Sequence, residues 1–136
     1  ASPLSTHPQL SVEVIQQAPA LLRQRQPIFA ATGGIHGALL MSRCGEVTLC
    51  REDIGRHNAV DKVIGAALKQ ELELGQLVMV ISGRAGFEIA QKCIVAGIPA
   101  LIAVGAPSSL AVELAAETGL ELIAFARGHS FNRYTG

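Results

Sequence analysis

A chain of 136 residues, 49% hydrophobic and 16% charged, is long enough for one domain with a real core and too short for two ordinary ones. Eleven basic residues balance eleven acidic ones, which excludes a net field drawing the protein to nucleic acid or to a membrane surface. No apolar stretch reaches the ~20 residues of a membrane span. The three cysteines, Cys44, Cys50 and Cys93, form no close-spaced pair, which argues against a disulfide framework and for a reducing, cytoplasmic setting. Fourteen glycines, no tryptophan and one tyrosine describe a small-residue core of the kind found in tightly packed α/β sheets. The start, Ala1-Ser2-Pro3, has neither the basic residues nor the apolar run of a secretory leader, and the missing Met leads us to expect a piece of a longer protein.

In chain order, residues 1–8, with Pro3 and Pro8, read as a flexible lead-in. Residues 9–25 carry the helical pattern Leu10, Val12, Val14, Ile15, Ala18, Leu21, Leu22. Pro19 is expected to kink this helix or start a second turn, and Pro27 to end it. Thr32-Gly33-Gly34 is a loop. Residues 35–42 and 46–51 read as antiparallel strands around the turn Arg43-Cys44-Gly45. Residues 51–62 then hold seven Asp, Glu, Arg, Lys or His side chains among twelve. Gly55 is expected to make a tight turn there, and a helix to open near His57 or Asn58 and continue through Val60, Val63, Ile64, Ala67 and Leu68. Residues 77–81 read as a buried strand, Ser82-Gly83-Arg84-Ala85-Gly86 as a junction, and residues 87–96 as a helix stopped by Gly97. Residues 99–104 repeat the strand. Gly105-Ala106-Pro107-Ser108-Ser109 repeats the junction and caps a helix over 110–118. Residues 121–126 form a last strand, followed by a polar tail over 127–134. Alternation of this kind implies parallel strands with right-handed crossovers, helices on both faces, and three junctions opening on one shared cleft.

Anion binding is the strongest chemical signal. Gly33-Gly34, Gly55-Arg56, Gly83-Arg84 and Arg127-Gly128 each put glycine in a loop, three of them beside an arginine. Glycine lets backbone N–H groups approach phosphate oxygens, and arginine supplies bidentate hydrogen bonds. No P-loop is present, so an ATPase is disfavoured. Zinc is not expected, because neither Cys-x-x-Cys nor His-x-Glu occurs. Ser82 lacks the nucleophile-elbow pattern, and Cys50, although Arg51 could lower its pKa, sits on a strand where thiols are usually inert. Structural readings stand beside these: Glu88 and Lys92 as an i, i+4 pair, Asp61 and Lys62 as helix-surface charges, His36 as either core or cleft.

Thr32-Gly33-Gly34-Ile35-His36-Gly37-Ala38, the 51–62 motif, Ser82-Gly83-Arg84-Ala85 and Ala106-Pro107-Ser108-Ser109 together resemble the FdhD family, the formate dehydrogenase accessory sulfurtransferases, from about residue 30 to the C-terminus. The resemblance implies a cytidine-deaminase-like fold: a three-layer α/β/α sandwich with a mixed sheet and an N-terminal β-hairpin. The zinc motifs of deaminases have no counterpart; His57 and Ser82-Gly83-Arg84 fall where they would be, so deamination is not implied. Family members pass sulfur from a cysteine desulfurase to the molybdenum or tungsten bis(pterin guanine dinucleotide) cofactor of formate dehydrogenase. GDP would mimic that cofactor. The family's sulfur-carrying Cys-x-x-Cys lies upstream of the matched region and is not in this sequence, so no catalytic cysteine is carried over.

The expectation is therefore a single α/β domain over 1–136, with residues 9–136 binding cofactor as the C-terminal part of a longer protein. The cofactor-binding residues expected are Gly33, Gly34, His36, Glu52, Asp53, Gly55, Arg56, His57, Asn58, Asp61, Lys62, Ser82, Gly83 and Arg84, joined by Phe125, Ala126, Arg127, Gly128, His129 and Ser130. Expected partners are a cysteine desulfurase, formate dehydrogenase and a second copy of the chain, for which the apolar hairpin could supply the interface, with no nucleic acid and no membrane. Two rivals are a non-catalytic chaperone that shields the cofactor, and a small-nucleotide hydrolase with Asp53 or Glu52 as base.

Overall fold

The computed structural model describes residues 9–25, 35–127 and 129–135. Helix α1 (Val12–Gln24) starts at Ser11, whose hydroxyl accepts the Val14 N–H at 3.2 Å, and buries Val14, Ile15, Ala18 and Leu22. It runs through Pro19 without a second start, and the proline ring is itself buried in the stripe. Strands β1 (His36–Ser42) and β2 (Val47–Asp53) form the expected hairpin, with Gly45 at φ 93 where a side chain would be strained. The ladder continues to His36 opposite Asp53, so Glu52 and Asp53 end a strand and do not begin a turn.

Helix α2 (Arg56–Lys69) opens one residue before the expected His57. Its cap, Gly55, has φ −96 and ψ 130, a conformation open to any residue, so the tight turn expected there does not depend on glycine. Then follow β3 (Leu77–Ile81), α3 (Phe87–Ala96), β4 (Ala100–Ala103), α4 (Ser109–Thr118), β5 (Glu121–Arg127) and β6 (Ser130–Arg133). The six strands lie in the order β2-β1-β3-β4-β5-β6.

The sheet is mixed, and the chain forms a three-layer α/β/α sandwich. Among the described residues the three crossover helices share one face. There Val60 and Val63 of α2, Ile89 and Cys93 of α3, and Ala111 and Ala115 of α4 pack on Leu40, Met79, Leu101 and Leu122. The other face, with Leu39, Val78, Val80 and Ile102, is covered by α1. The expectation that the crossovers would populate both faces is corrected: strand order advances β1, β3, β4, β5 without reversing, which keeps right-handed connections on one side. Of the hairpin's apolar residues, Leu39, Leu40 and Met41 of β1 are buried within the chain, whereas Val47 and Cys50 of β2 are half-buried.

The expected polar tail contains a strand. Strand β6 pairs antiparallel with β5, and Phe131 packs toward the α1 core. Arg133 Nη1 donates to Glu121 at 3.0 Å. Glu121 is buried and also accepts from Arg43 Nη2 at 3.1 Å and the Leu10 N–H at 2.8 Å, while Arg133 Nη2 donates to the Leu10 carbonyl at 3.1 Å. One carboxylate thus ties the hairpin turn, the lead into α1, β5 and β6. Thr135 closes the end, its hydroxyl donating to the Leu120 carbonyl and accepting the Leu122 N–H at 2.9 Å. Glu121→Ala leaves two arginines facing a low-dielectric site, and urea unfolding should show a loss of about 3 kcal/mol. A loss below about 1 kcal/mol, the worth of an exposed ion pair, would contradict this account.

Candidate functional site

Strand β1 is antiparallel to both β2 and β3, and β3, β4 and β5 are mutually parallel, so β2 through β5 all point one way. Their C-terminal ends, with the start of β1, lie along one sheet edge. The shared cleft expected of the junctions has this origin. His36, residues 53–56, 82–86 and 105–109, and Arg127 lie along that edge.

Backbone hydrogen bonds stitch the loops together. Ser82 N–H donates to the Gly37 carbonyl at 3.1 Å, and Ser82 Oγ accepts the Gly37 N–H at 2.9 Å, which fixes the serine as a brace between β1 and β3. Gly105 N–H donates to the Gly83 carbonyl at 3.0 Å, and the Gly105 carbonyl accepts the Phe125 N–H at 3.1 Å. Ala85 N–H to Ala106, and Ser108 N–H to Ala85, both at 3.0 Å, bridge the loops that precede α3 and α4. A Cβ on Gly105 would stand 3.0 Å from the Gly83 carbonyl atoms and 3.1 Å from Arg84 Cα, so only glycine fits there. At Gly83 it would stand 3.3 Å from His36 Nδ1 and 3.5 Å from Arg56 Cδ, which places those two side chains together at the opening.

Beside these loops lies a cavity of about 280 Å³ lined by Arg56, Arg84, Gly86, Ala106, Pro107 and Ser108. Gly86 and the last three were visible in the sequence within strand-to-helix junctions but were not among the expected site residues. The usable signal was that the junction at 105–109 repeats the form of the one at 82–86.

The polar cluster around α2 divides in two. Asp53 accepts from the Gly55 N–H at 3.0 Å and from Asn58 Nδ2 at 3.3 Å, and pairs with Lys62 Nζ at 2.7 Å. Lys62 Nζ also donates to the Glu52 carbonyl at 3.2 Å. The Lys62 hydrogen bond, then that of Gly55, holds the Asp53 carboxyl at about 2, below its ordinary 3.8, which makes it a poor proton acceptor at neutral pH. Asp61 points away from the cavity and pairs with Lys92 at 3.0 Å. The pair expected between Glu88 and Lys92 is therefore absent, and Glu88 stands 3.9 Å from His57 Nδ1. Arg56 Nε and His57 Nδ1 are shut off from solvent and make no hydrogen bond.

At the far end of the edge, Phe125 adopts φ 54 beside an irregularity in the β5–β6 register, and the Arg127 guanidinium lies 5.7 Å from its ring centroid. Arg127 Nε donates to the Val104 carbonyl at 3.4 Å, and the Ser130 hydroxyl to the Arg127 carbonyl at 3.4 Å. Ala126 turns into the α1 core, and the exposed His129 accepts Gln16 Nε2 at 3.0 Å through its carbonyl. Gly33, Gly34 and Gly128 lie outside the described residues.

The cysteines stand apart from this edge. Burial pushes the Cys93 thiol up to about 12. Burial, then Glu52, raises Cys50, and Arg51 does not reverse that. Cys44 occupies the hairpin turn, about 20 Å down β1 from His36 at ~3.3 Å per residue. Among the described residues no group of three His, Cys, Asp or Glu side chains offers a metal site.

The architecture is that of the deaminase-like α/β sandwiches. A guanine deaminase from Nitrosomonas europaea superposes with a TM-score of 0.64 at 12% identity, covering 91% of this chain and 88% of that one, a likeness of fold alone. The chain belongs to the FdhD/NarQ family, whose profile matches residues 1–136. It is 53% identical over 137 residues to a sulfur carrier protein FdhD of Streptomyces coelicolor, covering 98% of this chain and 49% of that protein. It is 51% identical over 122 residues to one of Thermoplasma volcanium, covering 90% and 44%. A crystal structure assigned as a formate dehydrogenase accessory protein from Desulfotalea psychrophila matches with a TM-score of 0.89 at 30% identity, over 99% of this chain and 57% of that one. The chain thus spans about half the length of the curated relatives it matches.

Because the folded Asp53 pKa lies below its ordinary value, the stability it contributes is present above about pH 4 and lost as pH falls toward about 2. The stability gap between the wild type and Asp53→Asn, from urea unfolding at stepped pH, should be constant near neutrality and shrink between those values. A gap unchanged across that window would show that the carboxylate is not held by Lys62 and Gly55.

Proposed function

We propose that this chain is the cofactor-holding part of a formate dehydrogenase maturation factor. Its ligand is the molybdenum or tungsten bis(pterin guanine dinucleotide) cofactor, carried as cargo and held by its nucleotide end. The metal centre of that cargo, when bound, is what accepts sulfur. The observation that carries the reading is the stitched edge. The approach of Gly105 to Gly83 leaves the main chain of two loops bordering a cavity flanked by Arg56 and Arg84, a setting suited to phosphate oxygens. The names of the relatives supply the biological context: a sulfur carrier, and an accessory protein of formate dehydrogenase.

In this role Arg56, Arg84 and Arg127 supply positive charge along the edge. Ser82 keeps its loop in place through Gly37, and Phe125 offers an aromatic face beside Arg127. The thiol that carries sulfur from a cysteine desulfurase is not one of those on this chain: Cys93 and Cys50 are held protonated, and Cys44 is at the wrong end of the sheet. That same observation favours a second reading, in which the chain acts purely as a chaperone that shields the cofactor until formate dehydrogenase takes it. Both readings assign cytoplasmic work, formate dehydrogenase as partner and a homodimer. Of the two bases open to the hydrolase rival, Asp53 or Glu52, Asp53 is held by Lys62 and is a poor proton acceptor.

Calorimetric titration with GDP tests the reading. Saturable binding is expected, weakened roughly tenfold by Arg127→Ala, as loss of one charge-assisted contact implies. Absence of saturable binding by both GDP and the intact cofactor would contradict it.

A further inference from the structure

We infer that the hollow on the flank of α2 that overhangs β2 is a docking groove for an acidic peptide segment of a partner protein, with Arg51, Lys62 and Lys69 meeting its carboxylates and Gly65 admitting its backbone. The groove is separate from the loops assigned to the cofactor and does not depend on that reading.

Sheet register and helix period bring these residues together. Strand β2 is an outer strand, and α2 packs over it. Arg51 pairs with Ala38 and Leu49 with Leu40. Ala38, Leu40 and Leu49 belong to the core beneath α2, so Arg51 lies on the helix side of the sheet. Lys62, Gly65, Ala66 and Lys69 recur at i, i+3, i+4 and i+7, a single stripe of α2. Strand residue and stripe line a hollow of about 410 Å³, and three of its five lining residues are cations with no carboxylate among them. Asp53 pairs with Lys62 at 2.7 Å and answers one of the three charges. Arg51 Nη1 donates to the Cys50 carbonyl at 2.8 Å, which orients the guanidinium without neutralising it. In a chain of balanced charge the positive field is therefore local, suited to a short acidic segment.

Gly65 points the same way. It is the one glycine inside a helix among the described residues, and a Cβ there would meet nothing within 4 Å. Glycine weakens a helix interior, and neither packing nor a left-handed conformation calls for it at this position. Its effect is external: the α2 backbone lies bare in the middle of the groove, between Lys62 and Lys69, where another main chain can approach. Those two lysines stand ~10 Å apart along the helix axis. Carboxylates on one face of an extended chain, ~7 Å apart, come within reach of both long side chains. No aromatic side chain lines the groove to stack a base, which disfavours single-stranded nucleic acid. No bulky apolar side chain lines it to enter a lipid surface. An acidic peptide is the occupant that fits both the charges and the bare backbone.

The test is the fluorescence anisotropy of a fluorescein-labelled oligoglutamate peptide titrated with the 136-residue chain. Saturable binding is expected, absent with an uncharged Gly-Ser peptide of equal length and weakened by added salt. Lys69→Gln and Arg51→Gln should each weaken it about three- to fivefold, the worth of an exposed charge contact. Arg23→Gln, an equal loss of charge at an exposed position of α1, should leave it unchanged. Gly65→Gln should weaken it about tenfold, because the new side chain fills the floor of the groove. The melting temperature of that variant should equal or exceed the wild type's, since the site is open and glutamine is the better helix former. Docking is thereby separated from folding, and circular dichroism checks that Arg51→Gln keeps the wild-type fold. Affinity no better than that of the Gly-Ser peptide, equal weakening by Arg23→Gln, or affinity unchanged in Gly65→Gln would each overturn the groove. Tighter binding of oligothymidylate, lost in the same variants, would overturn the acidic peptide as its occupant.

Discussion

The approach of Gly105 to Gly83 is the constraint on which the site depends. A hydrogen at the Cβ position of residue 105 lets the loops after β3 and β4 touch backbone to backbone, where a methyl would stand 3.0 Å from the carbonyl of Gly83. The contact directs the Gly105 N–H to Gly83 and the Gly105 carbonyl to Phe125, a relay across three strand ends. The last link draws Phe125 out of the regular ladder at φ 54, a conformation costing about 1–3 kcal/mol for a residue with a side chain. The irregularity changes which residues face which core: Leu122 and Ala124 pack beneath α2 to α4, whereas Ala126 packs with α1. Arg127 is thereby delivered to the edge beside the Phe125 ring.

The two ends of the sheet treat charge in opposite ways. Around Glu121 two arginines converge on one buried carboxylate, and the backbone of Leu10 completes the shell. That arrangement holds chain segments together, with two guanidiniums sharing one carboxylate. At the other end Asp53 is spent on Lys62 and the start of α2, so it neutralises nothing in the cavity, and Arg56 and Arg84 keep their field. The two ends of the sheet thus differ in where the carboxylates sit.

Much of this was legible from residue pattern. Strand β3 and helix α3 have the bounds that periodicity and the flanking glycines implied, because a fully apolar run between Gly75 and Gly83 has little alternative. The deaminase-like sandwich and the family were legible through the 51–62 and 82–85 motifs, and family membership bears that out. Strand β6 was not, because Phe131 is the lone apolar residue among Ser130, Asn132 and Arg133, and the strand is fixed by the distant Glu121. Pro19 was misleading: its missing N–H is tolerated where the ring adds apolar surface to α1. The partner of Lys92 could not be found from i, i+4 spacing, since Asp61 comes from the neighbouring helix. The wall at 106–108 was seen as a junction, but only the stitching of Ala85 to Ala106 reveals that it shares a cavity with Arg56.

The central claim is that the ligand lies on the sheet edge, between the loops stitched by Gly83 and Gly105. Amide chemical shifts of the labelled chain, followed during titration with GDP, test it most directly. The account predicts that the shifts concentrate at Arg56, at residues 83–86 and at residues 105–108. Shifts concentrated instead around the exposed groove of Ile64, Leu68 and Val95, on the outer side of α2 and α3, would contradict it.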